Sequence, residues 1–280
     1  MPEAAMNLFR YGPNKNFVRI AVRLSWPLMT WARKLSDTPG FRWIINPFFA
    51  YPHNELTTIP LNVAIPAPDS VILPRRIVAE VVRRAGEIFI LDECICRGKF
   101  DCKKHPKTIG CIALGKAARR IHPSHGHTAT AEEAVAHVEK AAAAGLVANI
   151  AHVWIDPVAF GLPDFRRLMF ICFCDDCCCL YRTHMKRRGP NLERASRKLP
   201  GLETVIDAGA CDGCGRCVAA CFVGALAIED RRAVIGASCK SCGRCVDLCP
   251  TGAARLVVTE SEAGIFRQVM ERIERVADIS

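Results

Sequence analysis

Two stretches of twelve residues, Cys211–Phe222 (CDGCGRCVAACF) and Cys239–Pro250 (CKSCGRCVDLCP), decide the fold of the last quarter of this 280-residue sequence. Each spaces four cysteines as C-x2-C-x2-C-x3-C. Thiolates are soft ligands that suit iron–sulfur clusters and zinc. Gly213, Gly215 and Gly243 supply the permissive backbone positions that let a short loop wrap around a metal group. A zinc domain is disfavoured because zinc sites usually separate C-x2-C pairs by longer gaps.

This spacing resembles that of the bacterial two-cluster ferredoxins. The resemblance covers about residues 202–258. It implies two 4Fe–4S clusters, one held by Cys211, Cys214, Cys217 and Cys249, and the other by Cys239, Cys242, Cys245 and Cys221. Phe222 departs from the pattern, which usually has proline there, so we expect a changed turn with the ligand retained. The stretch Leu226–Ile235 predicts a hairpin that turns at Glu229–Arg232.

Nine further cysteines form two groups earlier in the chain. The first group reads C-x-C-R-x4-C-x8-C and the second C-x-C-x2-CCC; their members are Cys94, Cys96, Cys102 and Cys111, and Cys172, Cys174, Cys177, Cys178 and Cys179. Adjacent cysteines point in different directions, so metal ligation is favoured over inert burial. Three alternatives stay open: one further 4Fe–4S cluster in each group, one unusual cluster shared by both, or a zinc site that includes Cys102 and His105.

The whole arrangement also resembles a group of bacterial 4Fe–4S dicluster proteins with an extra cysteine-rich region before the ferredoxin repeat. The matching residues are Cys94, Cys96, Arg97, Cys102, Pro106, Cys111, Gly115 and Cys172–Cys179. The resemblance spans roughly residues 70–258. It implies an electron-transfer or redox-partner class without a single defined reaction.

The expected fold class is α+β, with a ferredoxin-like dicluster domain after a mixed α/β cysteine-rich domain. We divide the chain into a basic, aromatic-rich arm (1–70), the cysteine-rich domain (71–190), the ferredoxin domain (202–258) and a terminal helix (259–280). Lys186–Arg197 is the expected linker. Helices are predicted from Pro74 to Gly86, after an N-cap and capping box at Thr130 and Glu133, and in the tail.

Composition narrows the class of protein. Seventeen cysteines, an odd number, argue against a ladder of disulfides. No secretory signal opens the chain, so we expect a reducing, cytoplasmic compartment. No uncharged apolar run reaches the ~18–20 residues of a membrane span. The net charge of +10 is compatible with an acidic protein partner or an anionic membrane, whereas nucleic acid is unlikely because no recognition motif is present.

Residues 1–50 are the expected docking element, because Phe17–Leu35 mixes apolar and basic residues. Pro27 is expected to interrupt any single helix there. Packing of this segment on its own domain is the slightly favoured interpretation, because Trp and Phe side chains mostly bury in cores. Basic residues also crowd the first cysteine group, where they could dock an acidic partner; they are Arg97, Lys99, Lys103, Lys104, Lys107 and Lys116.

Other polar residues near the cysteines are less informative. His122, His125 and His127 are expected in an exposed loop, with metal binding as the minority interpretation. Asp175 and Asp176 are either proton carriers or turn residues.

The favoured function is single-electron transfer through several 4Fe–4S clusters. The expected partner is a flavoprotein, a ferredoxin or a larger oxidoreductase complex. The chain lacks a dinucleotide-binding fingerprint, a P-loop and a hydrolase elbow, so an electron-transfer subunit of an oxidoreductase system is favoured over an enzyme. The alternatives are a reductase with an unusual N-terminal cluster as its active site, and a scaffold with structural zinc.

Overall fold

The computed structural model describes residues 10–35, 38–41, 43–44, 54–67, 70–179 and 195–280. Residues 1–9 and 45–53 of the predicted arm, and most of the predicted linker, lie outside these ranges.

A seven-stranded sheet forms the centre of the molecule. Its strand order is β6-β4-β5-β8-β7-β1-β9, antiparallel throughout except for the parallel pair β1–β9. The strands are β1 (Asn54–Pro60), β4 (Ile88–Leu91), β5 (Ile112–Leu114), β6 (Gly126–Thr128), β7 (Val147–Val153), β8 (Met169–Cys174) and β9 (Ser196–Lys198). A separate pair is formed by β2 (Ile65–Ala67) and β3 (Ser70–Ile72).

Alternation along the strands sorts side chains onto the two faces of this sheet. In β8, Ile171 and Phe173 join one buried cluster. Phe170, Cys172 and Cys174 join the other. The C-x-C spacing therefore places the thiols of Cys172 and Cys174 on the same face of the sheet. Leu91, at the end of β4, packs on this face as well.

Helices cover both faces. On the Ile171 face lie α2 (Pro74–Arg84), α4 (Ala131–Ala143) and α8 (Glu262–Val276). On the other face lie α5 (Ile155–Phe160) and the 3₁₀-helix Lys116–Arg120. Further 3₁₀-helices span Pro123–His125 and Phe165–Arg167. The short helix α3 (Ile95–Lys99) follows the first cysteine.

The helix predictions around α2, α4 and α8 are confirmed. Thr130 Oγ1 accepts a hydrogen bond from the Glu133 N–H at 3.2 Å, as an N-cap should. The Glu133 carboxylate, however, binds the His127 ring at 2.8 Å. The predicted capping box is therefore only half formed.

Helix α1 (Lys15–Leu35) runs through Pro27 without interruption, so the predicted break is wrong. Its inner side is held by tertiary contacts: Val18 and Trp26 are buried, and Trp26 packs edge-on against Phe100 at 5.3 Å. Lys15 also pairs with Glu93 at 2.9 Å. Packing of this kind offsets the hydrogen bond that proline removes.

The ferredoxin part consists of two strand pairs and two short helices. The strands β10 (Leu202–Ile206) and β13 (Ala254–Val258) pair, and β11 (Leu226–Glu229) and β12 (Arg232–Ile235) form the predicted hairpin. Its turn residues Asp230 and Arg231 both have positive φ, as a tight two-residue turn requires. Helices α6 (Arg216–Ala220) and α7 (Arg244–Leu248) each begin inside a cysteine run.

The ferredoxin part and α8 share a core with the central sheet. Leu202 and Leu256 lie in the same buried cluster as Ile59 and Ile77. The Gly86 N–H donates to the Ile279 carbonyl at 2.9 Å. The α+β fold class is confirmed. The domain limits stay a prediction, although β1 places residues 54–60 of the predicted arm inside the central sheet. Among the described residues, no helix has both the length and the apolar character to cross a membrane.

Candidate metal centres

The first ferredoxin set of thiols surrounds one cavity. Its lining includes the four cysteines that the ferredoxin pattern assigns to one cluster: Cys211, Cys214, Cys217 and Cys249. Backbone N–H groups point at the sulfurs, from Ala233 to Cys211 at 3.4 Å and from Ala254 to Cys249 at 3.4 Å. Donors of this kind stabilise the charged sulfurs of a bound cluster.

The second set lies beside Phe222. This side chain is buried and packs with Val223 and Ala225 against three cysteines that the ferredoxin pattern assigns to the second cluster, namely Cys221, Cys239 and Cys242. The N–H groups of Ala225 and Ser241 donate to Cys221 at 3.2 Å and to Cys239 at 3.4 Å. Phe222 thus covers the second set with an apolar ring, and the residues present fit a 4Fe–4S cluster at both positions.

The N-terminal cysteines are regrouped by the fold. One set, the thiolate sextet, consists of cysteines linked by hydrogen bonds or charge interactions among themselves: Cys94, Cys96, Cys111, Cys172, Cys174 and Cys179. The other set, the thiol trio, is Cys102, Cys177 and Cys178. Each set draws from both sequence groups. This favours the interleaved arrangement over one loop-local site in each group.

The closeness of the six thiols to one another shifts the pKa values of several of them. Hydrogen bonds from Cys111 and Cys96, helped by the charge of Arg97, hold the pKa of Cys94 well below its ordinary value. Hydrogen bonds with Cys172 and Cys94, together with burial, raise the pKa of Cys111 well above its ordinary value. Several thiolates cannot coexist there without a compensating cation. The sextet is therefore suited to a metal group that carries positive charge.

Arg97 joins the two cysteine loops from inside the protein. The residue is fully buried, and its Nε donates to the Pro106 carbonyl at 2.8 Å. One Nη donates to the Phe173 carbonyl at 2.7 Å and lies 3.5 Å from the Asp175 carboxylate, and the other donates to the Ile109 carbonyl. Arg97 is therefore a buried structural residue, and it is not available to dock an acidic partner as the sequence analysis allowed.

Asp175 acts as the turn residue that the sequence offered as one alternative. Its Oδ1 accepts the N–H of Cys177 at 2.9 Å, the N–H of Cys178, and the N–H of Cys179 at 3.3 Å. These bonds and Arg97 hold the pKa of the Asp175 carboxyl below its usual range, although burial alone would raise it. The loop that carries the last three cysteines is thereby fixed.

A cavity of about 280 Å³ opens against the sextet. Four of its lining residues are cysteines, namely Cys94, Cys96, Cys111 and Cys172, and the rest are largely apolar residues of α1 and α5. Asp156 supplies a carboxyl to this lining. The residue is partly exposed as a whole, but its Oδ2 is buried and has no hydrogen-bond partner among the described residues. Desolvation raises the pKa of Asp156 to about 8.

The three loop histidines do not converge on one site. His125 is buried and donates to the Pro13 carbonyl at 3.0 Å. His127 lies between Asp92 and Glu133, at 3.3 and 2.8 Å. His122 contacts Ser124. The exposed-loop expectation is therefore wrong for His125 and holds only in part for the other two, since His122 is in a loop but half-buried and His127 is exposed but lies in β6.

Arg244 connects the N-terminal cysteines to the ferredoxin part. It lies between Cys242 and Cys245 in the sequence, and Asp176 lies between Cys174 and Cys177. Arg244 Nε is 2.7 Å from Asp176 Oδ2, and Nη2 donates to the Gly145 carbonyl at 2.7 Å. The loop of the second ferredoxin set is therefore bound directly to the loop that contributes to both N-terminal sets.

Sequence reasoning did not identify Asp156 or Arg244 as functional residues. Neither residue occupies a ligand position in a motif that the sequence shows. The C-x-C spacing in an apolar strand was a usable signal for the sextet, because residues two apart share a face of a sheet. Contacts between distant segments carry no comparable local signal.

Comparison with known proteins identifies a family for the ferredoxin part only. No curated protein matches the chain. Residues 210–253 match the family described as the 4Fe-4S dicluster domain. This stretch includes every cysteine of both quartets and supports two 4Fe–4S clusters, while the nine other cysteines are compatible with further clusters. Residues 210–253 therefore form a 4Fe–4S dicluster domain.

Proposed function

We propose that this protein passes single electrons between two redox partners through a route that includes its dicluster domain and its N-terminal thiolate sextet. The dicluster domain by itself supports an iron–sulfur electron-transfer role. Bound 4Fe–4S clusters supply one-electron redox chemistry.

The observation that carries the proposal is the contact between Arg244 and Asp176. A salt bridge of 2.7 Å joins the two ligand loops, and Arg244 is only 13% exposed. A partly buried charge pair holds its partners in a defined geometry better than a solvated one does. The two regions are thus built side by side, as continuous electron transfer requires.

Iron and sulfide analysis combined with EPR tests this function. Anaerobically purified protein should contain more than the ~8 iron of two cubanes. After reduction, the EPR signals of the two regions should broaden one another. In Cys96→Ser, the extra iron and this broadening should disappear, whereas the dicluster signals remain. Colourless protein without iron, or extra iron without any magnetic interaction, would contradict the proposal.

The cavity favours a second candidate function, a reductase whose site is the sextet. The cavity is mostly apolar with one buried carboxyl, as is typical of small-molecule sites. Cyanide, a small ligand for iron with an open position, should then change the EPR signal that Cys96→Ser removes. Filling the cavity with Ala159→Trp should abolish the change. An unchanged wild-type signal would leave only the electron carrier.

Helix α1 is the proposed contact with an anionic membrane surface. Its outer row of apolar side chains recurs every three or four residues and is more than half exposed: Phe17, Ile20, Leu24, Leu28 and Trp31. Arg19 and Arg23 flank this row, as in helices that lie in the membrane interface. The inner side of the same helix lines the cavity beside the sextet.

A further inference from the structure

We propose that the thiol trio, Cys102, Cys177 and Cys178, is a separate mononuclear zinc site. The Sγ atom of Cys177 lies 3.6 Å from that of Cys102 and 3.6 Å from that of Cys178. All three sulfurs lie within 4.8 Å of one another. The site goes beyond the proposed electron route, because zinc has no redox chemistry.

The sulfur separations distinguish a single ion from a cluster. A tetrahedral zinc ion with Zn–S bonds of ~2.3 Å places its sulfurs ~3.8 Å apart, close to the distances in the trio. A cubane binds each thiolate to a different iron, so its thiolates are spread much more widely. Among the described residues, the trio is the one group of His, Cys, Asp or Glu side chains that converges within 4.8 Å.

The dicluster domain provides an internal comparison. Its eight cysteines form no group of three within 4.8 Å. Their sulfurs accept backbone N–H groups, as Cys211 does from Ala233 and Cys249 does from Ala254. The thiols of the trio, in addition, contact each other at 3.6 Å. Within one structure, therefore, the thiols of the dicluster domain and the thiols of the trio have different geometries.

The surrounding backbone prepares the trio for a metal ion. Backbone N–H groups of Lys104 and His105 lie close to the Cys102 sulfur. In the other loop, the N–H groups of Cys177 and Cys178 donate to the Asp175 carboxylate, which holds the backbone of that loop in place. Ligands on such fixed loops need little reorganisation on binding. Three thiolates leave one position of a tetrahedral ion for a fourth ligand.

That fourth position is open to solvent. Cys177 is exposed, whereas Cys102 and Cys178 are buried. The His105 ring is not part of the converging group, so this site does not include the histidine that the sequence offered together with Cys102. We assign the fourth position to water or another exchangeable ligand. The metal then ties the segment after α3 to the segment after β8.

Metal analysis of the full chain tests this site. Protein purified anaerobically from cells supplied with both metals should contain about one zinc per chain. X-ray absorption at the zinc edge should show three sulfur ligands at ~2.3 Å and one lighter ligand. In Cys177→Ser, zinc should fall severalfold while iron and the EPR signals stay unchanged.

Cys214→Ser is the matched control, because Cys214 is also exposed but belongs to the dicluster domain. It should lose iron and keep zinc. A wild-type protein without zinc, or with zinc bound only to oxygen and nitrogen, overturns the proposal even if Cys177→Ser fails to fold. Loss of about four iron from Cys177→Ser would also overturn it, since the trio would then hold a cluster. Neither result would affect the iron of the dicluster domain.

Discussion

Arg97 is the single residue on which both N-terminal cysteine loops depend. Its guanidinium satisfies three backbone carbonyls and pairs with Asp175, all without access to water. Only the planar guanidinium, with its N–H donors in fixed directions, can bind these acceptors at the same time. Removing one member of a buried ion pair leaves the other charge uncompensated, at a cost of about 3–5 kcal/mol.

Arg97→Met should therefore lower the thermal unfolding midpoint and release the metal of the sextet and the trio. The ~8 iron of the two dicluster cubanes should remain. Metal analysis and anaerobic thermal unfolding measure both effects. Lys104→Met, which removes an exposed cation from the same loop, is the control and should behave as wild type. Equal losses in the two variants would show that charge near the loop, and not the buried guanidinium, matters.

Asp156 should make stability depend on pH. Its pKa is raised to about 8 by burial, so the folded protein holds a proton that the unfolded chain loses near pH 4. The folded state binds more protons across this window, and stability therefore falls as the pH rises from 4 to 8. Between pH 5 and 8 the unfolding midpoint of the wild type should drop by about 5 °C.

Asp156→Asn should flatten this dependence, because an amide does not titrate. Loss of cluster absorbance during anaerobic heating provides the measurement. The two proteins should differ most at pH 8 and least at pH 5. Parallel curves for the wild type and the variant would show that the carboxyl ionises freely in the folded protein.

At the scale of elements, α1 has two different sides: the inner one lines the cavity, and the outer one is the proposed membrane contact. If its outer row binds membranes, Leu24→Gln combined with Leu28→Gln should weaken binding to vesicles that contain anionic lipid. Iron content should not change, because both side chains point to solvent. Vesicle sedimentation measures the effect.

Val71→Gln is the control for this experiment, since Val71 is an apolar residue exposed outside the helix. It should sediment as the wild type does. Binding that is insensitive to the two leucine changes, or absent from the wild type, would contradict the membrane contact.

Elements with a strong local pattern were predictable from the sequence. The buried row of α8, Ile265, Val269, Ile273 and Val276, follows the helical period, and the β11–β12 hairpin follows its turn. The course of α1 through Pro27 was not predictable, because burial of Val18 and Trp26 outweighs the local preference. The hydrogen-bonding partner of Glu133 was missed for the same reason, as His127 belongs to another element.

At the scale of the whole molecule, the Arg244–Asp176 bridge should govern communication between the two metal regions. Arg244→Met should leave iron content intact but reduce the magnetic interaction between their EPR signals, because the ligand loops lose their shared anchor. Arg255→Met is the control, since Arg255 pairs with Asp207 in the same domain but is 61% exposed. Identical spectra for Arg244→Met and the wild type would mean that packing alone sets the distance.

The candidate sites show the same limit of sequence reasoning. The dicluster domain was predictable because four cysteines recur at a fixed local spacing in each of two short loops. The sextet and the trio were not, because each takes thiols from segments about 75 residues apart, as in the Cys102–Cys177 contact. Their membership depends on the pairing of β4, β5, β7 and β8, which no local spacing encodes.

The position of α8 has a practical consequence for dissecting this protein. Its apolar row and the last residues of the chain fill the core beneath the central sheet, and Asp278 donates its N–H to the Arg166 carbonyl at 2.7 Å. A truncation after residue 258 would uncover Ile77 and its neighbours and invite aggregation. Gene fragments that express either half alone would consequently lack part of their hydrophobic interior, so the electron-carrying module should be studied within the intact polypeptide.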